Sequence, residues 1–203
     1  MSMMAMRMSG PERREQILDA TRAIVGERGF HAVSIEAVAR AAGITRPIVY
    51  EHFESLGGLL NALVVRESAR ALTQISAALP AALGTGDPRE QLVVALRGYL
   101  DAVRSDPLTW RLVLMPPEGA PELLRENIAA GRAMVVARLA EGVRPGFGPG
   151  GESPDPELTA RLLSALADEA ARLLLTDPEQ FPVERILAHT RWILDQLAGS
   201  RTR

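Results

Sequence analysis

The sequence predicts an all-α protein of about nine helices, with a small three-helix head followed by a larger helical body. Alanine, leucine and arginine dominate, β-branched runs are short, and no strand-period alternation is sustained. Glycine, proline and aspartate recur at intervals that cut the chain into helix-sized pieces. The 203 residues, 47% hydrophobic and 24% charged, suffice to bury a sizeable core, and the length accommodates a small domain plus a larger one.

Each element has its own punctuation. Ser9 opens the first helix, with Pro11 in its first turn and Glu12 placed to complete a capping box. Its apolar stripe is Ile17, Leu18, Thr21, Ile24 and Val25, and Gly29 is expected to supply a left-handed stop. Ser34 caps a short second helix to about Ala42, Gly43 ends it, and Thr45 caps a third through Phe53. A fourth helix runs from about Leu56 to Leu79 and stops at Pro80. After a loop at Gly84–Pro88, a fifth covers about Pro88–Arg104, and Asp106-Pro107 starts a short sixth that carries Trp110. Pro116-Pro117 breaks the chain before a seventh helix over about Ala120–Glu141. The glycine- and proline-rich stretch 142–156 is expected to be irregular. Two helices close the chain, over about Pro156–Leu175 and Pro182–Leu197. The domains expected from this order are residues 9–55 and residues 56–203, the latter opening with the linking helix.

Composition excludes several classes. There is no cysteine, so no disulfide framework, thiol nucleophile or thiolate metal site exists. No apolar run reaches the roughly 18–20 residues that span a bilayer. The stretch Met1–Met8 lacks the continuous apolar core of a signal peptide, so a frayed tail and a cytoplasmic location are expected. His31, His52 and His189 are scattered and offer no ligand spacing for a metal. Asp168 and Glu169 are adjacent and point to different parts of a helix surface, and no Gly-x-Ser-x-Gly elbow appears. Gly146–Gly151 formally matches a dinucleotide fingerprint, but it has no preceding strand and contains a proline, so it reads as a loop. No catalytic residue, metal or cofactor is expected.

Net charge is only −2, and the split is weak: eight arginines face seven acids in residues 1–66, and fifteen face eighteen beyond them. All basic residues are arginine, so any phosphate contact by a basic side chain falls to arginine. Two short helices joined by a glycine turn form a helix-turn-helix plan. Ala39 is small where the helices cross, Gly43 accommodates positive φ, and Val38, Ala42, Ile44 and Val49 supply the apolar seam.

The longer context is more specific. The stretches Ile17-Leu-Asp-Ala-Thr, Glu27-Arg-Gly-Phe, Ser34-Ile-Glu-Ala-Val-Ala-Arg-Ala-Ala-Gly-Ile-Thr and Tyr50-Glu-His-Phe, ending in Leu59-Leu60, resemble the TetR family signature. The resemblance covers about a quarter of the chain. It implies a dimeric, non-enzymatic transcriptional regulator whose third helix enters the major groove of double-stranded operator DNA. The DNA-contact set it implies is Ser34, Thr45, Arg46, Pro47, Ile48, Tyr50 and His52. Arg46 suits a bidentate guanine contact, Tyr50 and His52 offer donors to phosphate, and Ile48 faces outward for a thymine methyl. Val49 and Phe53 face inward onto the first helix. Departures from the family pattern are Ala37, where an acid commonly completes a capping box, and Leu56, where a lysine commonly contacts phosphate. Arg13, Arg14 or Arg40 would then make up that contact. Pro47 is tolerable in a first turn.

The resemblance further implies a small-molecule pocket enclosed by the fourth to eighth helices. Tyr99, Trp110, Met115 and Met134 are its candidate lining residues, and a lipophilic effector is expected. The last two helices imply a homodimer interface through Leu162, Leu166, Leu173, Ile186, Trp192, Ile193 and Leu197. A palindromic operator, repression and release by the effector complete the expectation. The alternative is a helical interaction protein that has lost DNA binding, which the near-neutral head and Leu56 favour.

Overall fold

The computed structural model describes residues 8–78, 87–116, 119–144, 146 and 152–199. Among the described residues there are nine α-helices, one 3-10 turn and no strand. The helices are α1 (Gly10–Arg28), α2 (Ile35–Ala41), α3 (Arg46–His52), α4 (Leu56–Ala78), α5 (Pro88–Ser105), α6 (Pro107–Leu114), α7 (Glu122–Val143), α8 (Pro156–Thr176) and α9 (Val183–Gly199). The 3-10 turn, Phe30–Ala32, follows α1. The methionine-rich start, the expected end of the fourth helix at Leu79, most of the Gly84–Pro88 loop, Pro117 and most of the Gly146–Gly151 motif lie outside the described residues. The chain divides into two compact units, one holding the residues up to Glu67 with Pro116–Arg125, the other Ser68–Met115 with the residues from Glu126 onward. The division falls within α4, whereas the sequence predicts it between residues 55 and 56.

In the first unit α1 packs on α2 and α3, and α2 on α3. Ser9 and Glu12 form the reciprocal capping box: the Ser9 N–H donates to Glu12 at 2.7 Å and the Glu12 N–H to the Ser9 hydroxyl at 3.4 Å. Ile17, Val38, Val49, Leu59 and Leu63 are fully buried. Each such side chain contributes about 1.5–3 kcal/mol through removal from water. Gly29 has φ 80 and ψ 173, an extended backbone at positive φ rather than the left-handed helical stop the sequence predicts. That conformation is essentially restricted to glycine, and it turns the chain into the 3-10 segment.

A buried acid fastens α4 to α1. Glu67 is 1% exposed and accepts hydrogen bonds from Arg22 Nε and Arg66 Nε, each at 3.0 Å. Arg66 also pairs with Glu15 at 2.8 Å and Asp19 at 2.9 Å. Both carboxylate oxygens of Glu67 are therefore met by guanidinium groups, as a buried charge requires.

In the second unit α5 packs on α8 and α9, and α6 on α8 and α5. The core between them includes Val93, Leu100, Val103, Trp110, Leu174 and Leu187. The Asp155 carboxylate caps α8 by accepting from the Leu158 N–H at 2.9 Å. Two arginines satisfy the carbonyls left open where helices end. Arg111 on α6 donates to the Leu175 carbonyl on α8 at 2.8 Å, and Arg172 on α8 donates to the Leu114 carbonyl on α6 at 3.2 Å.

Glu67→Ala should lower unfolding stability by about 3–5 kcal/mol, because it leaves two guanidinium groups facing a vacated site. A urea titration followed by circular dichroism reads this directly. A midpoint and slope like those of the parent chain would show that the ion network does not hold α4 to α1.

Candidate functional site

The helix-turn-helix is built around Gly43, which has φ 65, the left-handed region that costs other residues about 1–2 kcal/mol. Its N–H donates to the Arg40 carbonyl at 3.2 Å, and the Ile44 N–H reaches back to the Ala39 carbonyl at 2.9 Å. Gln16 on α1 donates to the Ala42 carbonyl at 3.0 Å, so the turn is anchored to α1 as well. Val49 and Phe53 point into the core, which turns the opposite side of α3 outward.

That outward side carries Thr45, Arg46, Pro47 and Tyr50, all exposed, with Ile48 and His52 half-buried. Ile48 is thus less exposed than the sequence predicts. Ser34 is exposed, and its hydroxyl accepts from the Ala37 N–H at 3.1 Å, one half of a capping box. Thr45 behaves differently. It occupies the cap position of α3, yet its side chain makes no capping hydrogen bond, contrary to the sequence expectation. The reason is local: Pro47 has no N–H to offer, and the Ile48 N–H donates to the Thr45 carbonyl at 3.1 Å. The Thr45 hydroxyl is left facing solvent.

The arginines around this surface are not equivalent. Arg14 donates to the His52 carbonyl at 2.9 Å and stacks over the Phe53 ring at 4.2 Å. Arg13 donates to the Gln16 amide oxygen at 2.5 Å. Arg40 and Arg46 are exposed and have no ion pair or hydrogen-bond partner among the described residues. Of the three arginines expected to replace the missing lysine, Arg40 is the one left free. Leu56 begins α4, where Ser55 takes over capping by accepting from the Gly58 N–H at 3.0 Å.

The second unit contains a cleft of about 70 Å³. Tyr99 and Trp110, two of the residues expected to line a pocket, meet there edge to face with ring centroids 5.0 Å apart. The indole N–H of Trp110 donates to Gln74 at 2.7 Å. The Tyr99 hydroxyl donates to Asp168 at 3.2 Å, and Arg132 donates to the other oxygen of Asp168 at 2.6 Å. Burial, reinforced by the Asp168 charge, pushes the Tyr99 phenol well above its ordinary pKa and keeps it a protonated donor. Met115 and Met134 are not brought to the cleft: Met115 packs against the core cluster, and Met134 is 59% exposed. The cleft instead has polar lining from Ser68, Asn127, Arg132, Ser164 and Asp168, none of which the sequence singled out as pocket residues. Among the described residues, no cluster of three or more His, Asp or Glu side chains is arranged to hold a metal.

A groove of about 910 Å³ lies along α5, α8 and α9 and meets the cleft at Tyr99, Ser164 and Asp168. Leu166, Leu173, Ile186, Trp192 and Ile193 line it. Leu166 is 68% and Trp192 57% exposed, while Leu173 and Ile186 are half-buried. Leu162 is exposed but does not line the groove, and the side chain of Leu197 lies outside the described residues.

The family model described as "Bacterial regulatory proteins, tetR family" matches residues 17–63. The HTH-type transcriptional regulator BetI of Yersinia pestis is 34% identical over 134 residues, covering 64% of this chain and 67% of that protein. The chain belongs to the TetR family. The HTH-type transcriptional activator FasR of Mycolicibacterium smegmatis is 31% identical over 107 residues, which is 53% of this chain and spans about half (48%) of FasR. In fold, the TetR-family chain is similar to a TetR-like transcriptional regulator from Rhodococcus sp. RHA1, with a TM-score of 0.74 at 23% identity over 97% of this chain and 100% of that one. The matched segment runs from α1 through the turn and α3 into α4, so the family model and the arrangement built around Gly43 coincide.

The sequence held one unused signal for the cleft of this TetR-family chain. Gly131 lies inside α7, where a Cβ would meet Leu72 of α4 at 3.2 Å, and a glycine within a helix marks such a close approach.

The two cap positions differ in what they contribute to stability. Ser34→Ala should cost about 1 kcal/mol of unfolding stability, because its hydroxyl caps α2. Thr45→Ala should change stability by less than about 0.5 kcal/mol, because its hydroxyl caps nothing. Parallel urea titrations give both numbers. A loss at Thr45 equal to that at Ser34 would mean that its hydroxyl does hold α3.

Proposed function

We propose that this chain is a DNA-binding transcriptional regulator that occupies a palindromic operator as a homodimer, represses from it, and is released by a small molecule. The observation that carries the DNA-binding reading is the outer side of α3. An unpaired arginine, a free hydroxyl and an exposed tyrosine sit together on a short helix that Gly43 turns outward. Arg46 offers the fork that matches guanine O6 and N7, and Arg40, Thr45 and Tyr50 offer donors to phosphate oxygens. Ser34 retains a hydroxyl proton for phosphate while capping α2, and His52 adds a half-buried ring at the other end of α3.

The apolar side of α8 and α9 supports the dimer. Leu166, Trp192 and Ile193 are large exposed hydrophobics along one groove, the surface character that marks an association site. Two heads about 34–36 Å apart, or a multiple of that spacing, would read two half-sites. Repression requires only that the dimer occupy its site, whereas activation requires a further contact; BetI is named a regulator and FasR an activator. The effector reading is supported by α4, which carries both the buried Glu67 and, one residue later, the cleft-lining Ser68. A ligand preferring one position of α4 shifts the population of heads able to bind. No described helix is long and apolar enough to cross a membrane.

Binding of the purified chain to its own upstream intergenic DNA across a salt series tests the reading. Saturable, sequence-dependent binding with a steep salt slope is expected. Arg46→Ala should cost about 1–3 kcal/mol and relax specificity at one base pair, whereas Arg40→Ala should weaken all sequences alike and reduce the salt slope by about 1. Binding indifferent to sequence, both here and in random-sequence selection, would leave the interaction-protein alternative.

Leu166→Asp should convert the dimer to a monomer in sedimentation-velocity runs and abolish tight operator binding with it. A monomeric parent chain, or a variant that remains dimeric, would place the interface elsewhere.

A further inference from the structure

The cleft lined by α4, α5, α6, α7 and α8 has an unequal inventory of polar groups. Its charges are already spent on each other. Arg132 and Asp168 form an ion pair at 2.6 Å, and the Tyr99 hydroxyl donates to the second oxygen of Asp168. Asp168 is 15% exposed and Arg132 48%, so the carboxylate is the inner partner. Three neutral groups, in contrast, are unspent. The Ser68 hydroxyl on α4 is buried without any hydrogen-bond partner. Ser164 on α8 is 7% exposed, and Asn127 on α7 is half-buried. Neither Ser164 nor Asn127 makes a side-chain hydrogen bond among the described residues, and all three line the cleft. The remaining wall is apolar, including Leu72, Ile75, Trp110 and Val135.

This inventory selects by charge. An anion would have to draw Arg132 away and leave a buried carboxylate with a phenol alone, which is strongly unfavourable. A cation would displace Arg132 from Asp168, exchanging one ion pair for another with no net neutralisation. A neutral acceptor disturbs no existing contact; it satisfies the Ser68 hydroxyl, which is buried without a partner, and can also take the unspent Ser164 hydroxyl and Asn127 amide.

Resting on the reading of this chain as a ligand-responsive regulator, we propose that the cleft takes a compact, uncharged, mostly apolar molecule bearing a carbonyl oxygen. That oxygen accepts hydrogen bonds from the Ser68, Asn127 and Ser164 set, and the closed Arg132–Asp168 pair excludes ions of either sign.

Three probes with one ring and different charge test this on the full chain by isothermal titration calorimetry, without DNA: acetophenone, benzoate and benzylammonium. Acetophenone is expected to bind at least about tenfold more tightly than either ion. Ser68→Ala should weaken acetophenone about fivefold while raising the thermal midpoint of the free protein, because the orphaned hydroxyl is gone. A merely structural serine would not give that opposed pair of effects. Asn127→Ala should weaken acetophenone similarly and keeps the test independent of the Ser68 variant. An ion binding as tightly as the ketone, no saturable ketone binding below about 10 mM, or ketone binding unmoved by both substitutions overturns the proposal. Operator binding with no ketone binding overturns the cleft proposal alone. Selective ketone binding without any operator binding supports the cleft and overturns the regulator reading.

Discussion

A carboxylate removed from water must be met by cations, and in this chain that requirement organises the first unit. Glu67 is held by Arg22 of α1 and by its own neighbour Arg66, which in turn reaches Glu15 and Asp19 of α1. The first part of α4 is thereby fixed along α1. From α1 the constraint passes to the turn and to α3 through two further hydrogen bonds, Gln16 to the Ala42 carbonyl and Arg14 to the His52 carbonyl. The positions of Arg46 and Tyr50 thus depend on a network that contains neither. Replacing such a network with apolar side chains is often neutral for stability, whereas removing one member is costly.

The parts of this arrangement that were legible in the sequence are those with a local cause. The turn at Gly43 was legible because positive φ selects glycine, and the inward side of α3 because Val49 and Phe53 sit one helical turn apart. The capping box at Ser9 and Glu12 was legible for the same reason. Gly29 reads as a helical stop in the sequence, but the 3-10 turn that follows needs an extended backbone there, and sequence does not distinguish two positive-φ conformations of glycine. Groups whose role is set by tertiary packing escaped. Glu67 stands between Arg66 and Ser68 in a helix of mixed polarity and reads as a surface acid. Ser68, Asn127 and Asp168 read as solvated helix positions, and only the convergence of α4, α7 and α8 makes them cleft walls. Met134, expected at the pocket from its place on the seventh helix, faces outward.

An all-arginine chain has a particular way of meeting DNA. Arginine hydrates weakly and stacks well, so several of these side chains are recruited into structure, as Arg14 is over Phe53 and Arg22 and Arg66 are on Glu67. Those so recruited are withdrawn from phosphate contact, which explains how eight arginines in residues 1–66 leave so few free near α3. On the reading proposed for α3, Arg46 and Arg40 would then carry a disproportionate share of the electrostatics. On that reading, polar donors such as the Thr45 hydroxyl would gain weight for the same reason.

Local rules are satisfied almost throughout the described residues, which makes the departures informative. Thr45 stands at a cap position and its side chain caps nothing, because the Ile48 N–H is given to the Thr45 carbonyl instead. Ser68 buries a hydroxyl with no partner. Leu166 and Trp192 leave large apolar surfaces in water. Each departure occupies a separate place: the outer side of α3, the cleft, and the groove of α8 and α9. On the reading proposed above, the free donor would meet a phosphate, the orphaned hydroxyl a small acceptor, and the apolar groove a second copy of the chain. On the same reading, the chemistry missing at each place is that of a different partner, and the three departures would serve three separate binding events.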